Sequence, residues 1–160
     1  MDGIQLHGGD APSAEPQNDP TYRLHRRFDR MARLVGDGGM KALKRSFVIV
    51  FGVGGVGSFT AESLVRSGVG HIKIVDFDDV CVTNTNRQLH AMKGNIGKPK
   101  VELMAERLRR INPVARIEAV KMFYQAECSD ELLEGNPDYV VDAIDQFTAK
   151  CHLIATCRAR

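Results

Sequence analysis

The residues most able to do chemistry are four glycines and an acid. Gly52, Gly54, Gly55 and Gly57 make the hexad GVGGVG directly after the apolar run Phe47–Phe51, and Asp76 closes the next apolar run. At this spacing Gly52 permits a tight turn, Gly54 lets the backbone approach a phosphate, and Gly57 lets a helix pack close to the preceding strand. The first turn of that helix then offers free N–H groups to an anion. An acid at the end of the second strand is placed to take ribose hydroxyls. These residues alone predict a bound nucleotide without choosing it, because an NAD-binding oxidoreductase and an ATP-binding enzyme would use Asp76 alike. A glycine-rich turn that merely closes a packed corner is the reading without chemistry.

Such a turn needs a strand before it and a helix after it, and the chain supplies both. Phe47–Phe51 reads as a strand, about Gly55 to Ser67 as its crossover helix ended by Gly68, and Ile72–Val75 as a second strand. Upstream, Leu24, Phe28, Met31 and Val35 fall at helical spacing over 22–35; Gly36, Gly38 and Gly39 interrupt, and a shorter helix is expected over 40–44. Downstream, an irregular polar stretch extends to about Asn95. A helix follows, opened by Gly97 and Pro99, with Val101, Met104, Ala105, Leu108 and Ile111 on one face and Asn112 and Pro113 at its close. Ile117, Ala119 and Val120 suggest a third strand, and 129–134 a helix. Tyr139–Ala143 reads as a fourth strand whose unbroken apolar character predicts burial on both faces. Alternation of strand and helix means an α/β fold: a Rossmann-like, doubly wound, mostly parallel sheet preceded by a helical segment.

At 160 residues, 43% apolar and 26% charged, the chain has the make-up of one soluble globular domain. Residues 1–20, rich in Gly, Asp, Pro, Ser and Gln without periodicity, are expected to form a disordered leader, with the nucleotide-binding domain over 21–160. A net charge of +2 does not by itself argue for nucleic acid, since a sum says nothing about whether one face is basic. No apolar run approaches the length that spans a bilayer, and the leader carries acids rather than bases, so no membrane association is expected and the cytoplasm is the expected compartment. Cys81, Cys128, Cys151 and Cys157 contain no CxxC pair and predict neither a zinc knuckle nor a disulfide framework. Cys81 reads as a small buried filler. His71 and His90 share no metal-ligand spacing and read as structural or surface residues.

Five motifs in order resemble those of the ThiF-like adenylating enzymes, the superfamily of the ubiquitin-activating enzymes and of the activators of bacterial sulfur-carrier proteins. They are GVGGVG at 52–57, DFD at 76–78, NTNRQ at 84–88, GKPK at 97–100 and DAID at 142–145. The resemblance extends from about residue 22 to the end. Within the superfamily, DAID together with RFDRMARLVG at 27–36 looks most like the tRNA threonylcarbamoyladenosine dehydratase branch.

That resemblance implies ATP-dependent adenylation of a carboxylate, with ATP and Mg²⁺ as cofactors. An oxygen attacks the α-phosphorus while pyrophosphate leaves, which crowds negative charge and demands cations. By resemblance Arg87 and Lys100 hold the phosphates, Asn84 hydrogen-bonds ribose or phosphate, and Gly52, Gly54, Gly55, Gly57 and Asp76 cradle the nucleotide. Asp145, at the carboxyl edge of the sheet, takes the metal. Asp142 reads either as a ligand contact or as the cap of the following turn. Arg30 resembles the arginine that a partner subunit inserts toward the leaving phosphates, which implies a homodimer. Arg26, Arg30 and Arg33 share one helix face and otherwise read as a solvated surface or a contact for tRNA phosphates.

For the dehydratase branch the implied substrate is N6-threonylcarbamoyladenosine in tRNA, whose adenylated side chain closes on itself with release of AMP. The alternative substrate is the C-terminus of a ubiquitin-like or sulfur-carrier protein. Other classes remain open: an NAD-dependent oxidoreductase, or a nucleotide-binding remnant without turnover. The remnant is raised by Arg160, which falls inside a helical pattern where the superfamily continues into further strands. The sheet is therefore expected to be incomplete at its C-terminal side, and the isolated chain poorly soluble or partly unfolded unless it pairs.

Overall fold

The structure, a computed structural model, describes residues 26–160. The expected leader and the start of the first expected helix, including Leu24, lie outside the described residues. A 3-10 turn, Arg26–Phe28, leads into α1, Asp29–Arg45. There follow β1, Phe47–Phe51; α2, Gly55–Ser67; β2, His71–Val75; α3, Lys100–Ile111; β3, Arg116–Val120; α4, Ser129–Leu132; β4, Tyr139–Asp142; and α5, Phe147–Ala159. The strands pair in parallel in the order β3-β2-β1-β4. The chain winds outward from β1 to β3 and then returns to pair β4 on the other side of β1. A reversal of this kind opens a crevice at the carboxyl ends of the strands.

Both faces of the sheet are covered, which is why every residue of β1 is buried. Val48 and Val50 turn to one face, against Ala61 and Val65 of α2 and Met104 and Leu108 of α3. Phe47, Ile49 and Phe51 turn to the other, against Tyr124, Leu132, Leu133 and Leu153. α3 buries Val101, Met104, Ala105 and Leu108, the stripe whose spacing predicted it.

Several expectations need correction. β4 is not buried on both faces: among the described residues it pairs with β1 alone, Tyr139 is 74% exposed, and the rest of the strand is half-buried. An apolar run reads the same in sequence whether or not a second neighbour covers it. The helix expected over 129–134 is shorter, Ser129–Leu132. The two expected N-terminal helices are one element broken at Gly36, whose φ of 68° and ψ of 177° suit glycine. Cys81 is exposed rather than a buried filler. No helix among the described residues is long and apolar enough to cross a membrane.

Candidate functional site

A cleft of about 700 Å³ opens at the carboxyl ends of the strands, and the segment after each strand helps to line it. Gly52 follows β1, Asp76 to Asp78 follow β2, Met122 to Tyr124 follow β3, and Ala143 to Asp145 follow β4. Two glycines fix the geometry of the turn. Gly52 has a φ of 87°, and a Cβ there would stand 2.5 Å from the Ala143 carbonyl oxygen. A Cβ at Gly57 would overlap the Gly52 carbonyl oxygen, so only glycine lets α2 come this close. α2 starts at Gly55, leaving the N–H groups of its first turn without intrahelical partners where Gly54, Gly55 and Val56 line the cleft.

Asp76 brackets that turn. Its Oδ2 accepts the Val53 N–H at 2.6 Å and its Oδ1 the Asp78 N–H at 2.8 Å. The residue is 9% exposed and lines the cleft, so the acid expected to meet ribose also ties the glycine turn to the end of β2. Lys100 begins α3 with its side chain 6% exposed and its Nζ 2.6 Å from Asp78 Oδ2. Arg87 donates from Nη1 to the Thr83 carbonyl at 3.1 Å and to Asn86 Oδ1 at 2.9 Å, both uncharged. It meets no carboxylate among the described residues, so its full charge bears on the cleft it lines. Asp145 lines the opposite segment, exposed, with no hydrogen bond or ion pair among the described residues.

Thus Gly52, Gly54, Gly55, Asp76, Arg87, Lys100 and Asp145 come together. Asn84, Gly57 and Arg30 do not. Asn84 is 8% exposed and its Oδ1 accepts the Cys81 N–H at 2.9 Å, which braces the 3-10 turn Val82–Asn84 that presents Arg87. Its motif neighbour Asn86 lines the cleft instead. Gly57 serves packing. Arg30 is exposed on α1 and is not part of the lining. Asp142 caps a turn, its Oδ1 accepting the Ile144 N–H at 3.1 Å while Lys150 pairs with its Oδ2.

Sequence reasoning passed over Asp78 and Phe77, which lie inside the DFD motif, and Phe123, which follows β3 with no motif to mark it. Phe77 and Phe123 pack edge to face with centroids 4.9 Å apart and give the cleft an apolar wall. Behind Lys100, His90 is 1% exposed and its Nε2 lies 3.1 Å from Gln88 Oε1. Burial first, and the Lys100 charge second, lower its pKa to about 4. It is neutral at pH 7 and adds no second cation beside Lys100. The described residues contain no cluster of three His, Cys, Asp or Glu that could hold a metal. Mg²⁺ is usually held by one or two carboxylates plus substrate phosphates, however, and the unpaired Asp145 suits that use.

The chain is similar to known proteins over most of its length. Residues 28–160 match the ThiF family. The tRNA threonylcarbamoyladenosine dehydratase of Bacillus subtilis is 50% identical over 137 residues, which is 86% of this chain and 54% of that protein. A solved structure of the Escherichia coli tRNA N6-threonylcarbamoyladenosine dehydratase in complex with ATP superposes with a TM-score of 0.83 at 44% identity, covering 86% of this chain and 56% of that one. The same enzyme has been solved in complex with AMP. At lower identity, 37% over 128 residues, stands a sulfur carrier protein adenylyltransferase of Thermus thermophilus, with 80% of this chain and 46% of that protein covered. The chain spans about half the length of the curated relatives it matches. From the glycine turn to the acid after the fourth strand, and over nearly all of the described residues, the chain belongs to the ThiF family.

Proposed function

We propose that residues 21–160 form the ATP-binding part of a cytoplasmic tRNA threonylcarbamoyladenosine dehydratase, in which ATP adenylates the threonylcarbamoyl carboxylate. The observation that carries this reading is the convergence of Arg87, Lys100 and Asp145, from three separate segments, on a cleft walled by the start of α2. A triphosphate needs that much positive charge, and its metal needs an unpaired carboxylate. A dinucleotide's two phosphates are served by the helix terminus alone.

In this reading the phosphates lie on the N–H groups of the first turn of α2. Lys100 exchanges Asp78 for a phosphate oxygen, and Arg87 spreads its fork over the phosphates across which pyrophosphate departs. Phe77 and Phe123 offer an apolar wall for the base. Asp145 would hold Mg²⁺, which neutralises charge on the phosphates. A carboxylate oxygen attacks the α-phosphorus as the bond to pyrophosphate breaks; the carbamoyl group of the adenylated side chain then attacks its own acyl carbon, giving up a proton to solvent as the acyl–phosphate bond breaks and AMP leaves. No thiol is required. Arg30, outside the cleft of its own chain, reaches a site only in a second copy, so this reading includes a homodimer.

The lower-identity sulfur carrier adenylyltransferase supports a second substrate for the same chemistry, a carrier-protein C-terminus. Exchange of labelled pyrophosphate into ATP separates the two. Exchange that depends on threonylcarbamoylated tRNA is expected. Exchange that depends instead on a Gly-Gly-ended carrier protein would replace the proposed substrate.

A further inference from the structure

A second cavity, of about 440 Å³, lies between the last turns of α2 and α3 and the loop that follows NTNRQ. Arg66, Arg107 and Arg110 line it, and His90 and Asn95 form part of its wall. Glu62 alone serves two of these guanidiniums, Arg66 at 2.7 Å and Arg107 at 2.5 Å, and their charges hold its carboxyl below the usual range. Glu106 pairs with Arg110. Nearby, Arg27 Nη1 donates to the Ile111 carbonyl at 2.7 Å, which anchors the arginine-rich start of the described chain to the end of α3. A carbonyl satisfies the donor without cancelling the charge.

Leaving out Arg109, which donates to the Ile117 carbonyl at 2.9 Å, and Arg30, assigned above to a second copy, segments 26–33, 62–67 and 106–111 carry six arginines against three carboxylates, a surplus of three in a chain whose whole net charge is +2. The sum hid a basic face. Arginines in last turns complement helix dipoles, which accounts for single residues but neither for the surplus nor for a cavity between them. His90, which lines the cavity, also has its Nδ1 buried with no hydrogen-bond partner, an uncommon state for a polar atom in a packed interior. It lies three residues after Arg87, so the loop that walls this cavity continues the one that presents Arg87 to the cleft.

We propose that this arginine-rich face holds the sugar–phosphate backbone of the RNA whose modified nucleoside enters the cleft. The proposal rests on the function given above and adds to it where the RNA lies. Guanidinium forks meet phosphodiester oxygens in pairs, and polyanion binding through such contacts weakens steeply with salt.

The test is fluorescence anisotropy of a labelled tRNA transcript with the 160-residue chain and with the double variant Arg66→Ala/Arg110→Ala, from 50 to 200 mM KCl. These two side chains are solvent-facing, and the variant keeps the Arg107–Glu62 pair. Expected is a loss of affinity of roughly tenfold and a fall of about 1–2 in the slope of log K against log salt, with ATP titration unchanged. Arg66→Lys/Arg110→Lys should retain the slope, which separates charge from folding. Unchanged affinity and slope in the alanine variant would overturn the proposal. So would retained tRNA binding alongside lost binding of an acidic carrier protein, which would make the face a protein dock. A fall in RNA affinity where neither protein shows tRNA-dependent pyrophosphate exchange would uphold the face and remove the adenylation reading beneath it.

Discussion

Asp76 has two roles that one substitution can separate. Asp76→Asn keeps the size and polarity of the side chain but turns one carboxylate oxygen into an amide NH₂. That group cannot accept from whichever backbone N–H it then faces, Val53 at 2.6 Å or Asp78 at 2.8 Å. Losing one charge-assisted bond and weakening the other costs about 1.5–3 kcal/mol. In a domain of this size that corresponds to a fall of roughly 6–12 °C in Tm. Circular dichroism melts alongside calorimetric ATP titration measure both consequences. Because Val53 belongs to the turn that seats the start of α2, ATP affinity should fall in step with stability. A Tm equal to wild type with weakened ATP binding would mean that Asp76 touches only the ligand, and the bracketing role would be refuted.

Gly57→Ala should destabilise by about 1–3 kcal/mol in urea unfolding, because overlap with the Gly52 carbonyl outweighs the gain of about 1 kcal/mol for alanine in a helix. Lys100→Met should weaken ATP binding about 10–100-fold by fluorescence titration while the fold survives, since its partner Asp78 is partly solvated. Asp145→Asn should leave unfolding within about 0.5 kcal/mol of wild type but abolish the enhancement of ATP binding by Mg²⁺. His90 titrates near 4 when folded and near 6.5 when unfolded, so between these values the unfolded chain takes up a proton that the folded chain refuses. Stability should therefore fall as pH drops from 6.5 to 4, by up to about 3 kcal/mol from this residue. His90→Gln should flatten that part of the profile in urea titrations at pH 7, 5 and 4.

Local signals carried the fold well where one element dictates its own neighbours. The glycine turn, the stripe on α3 and the runs of β1 and β2 were legible because each depends on periodicity or on backbone freedom written into consecutive residues. Tyr139–Asp142 was misjudged because burial of a strand depends on what pairs with it, and no property of YVVD reports that. Asn84 and Asn86 show the same limit within the site. Both belong to one motif, and only the path of the 3-10 turn decides that Asn84 braces it while Asn86 meets the cleft. Phe123 was invisible because a single aromatic after a strand end has no spacing to betray it. The basic face is legible only in part: Arg26, Arg30 and Arg33 share a helix face in the sequence, whereas Arg66, Arg107 and Arg110 come from two other segments and acids elsewhere cancel them in the total.

The lining of the cleft suits a triphosphate with its metal rather than a dinucleotide. Isothermal titration of the wild-type chain and of Arg87→Ala with Mg-ATP and with NADH tests this preference most directly. ATP should bind the wild type, lose affinity about tenfold or more in the variant, and suffer no competition from NADH. Tight NADH binding that ATP does not displace, unaffected by removal of Arg87, would contradict the account.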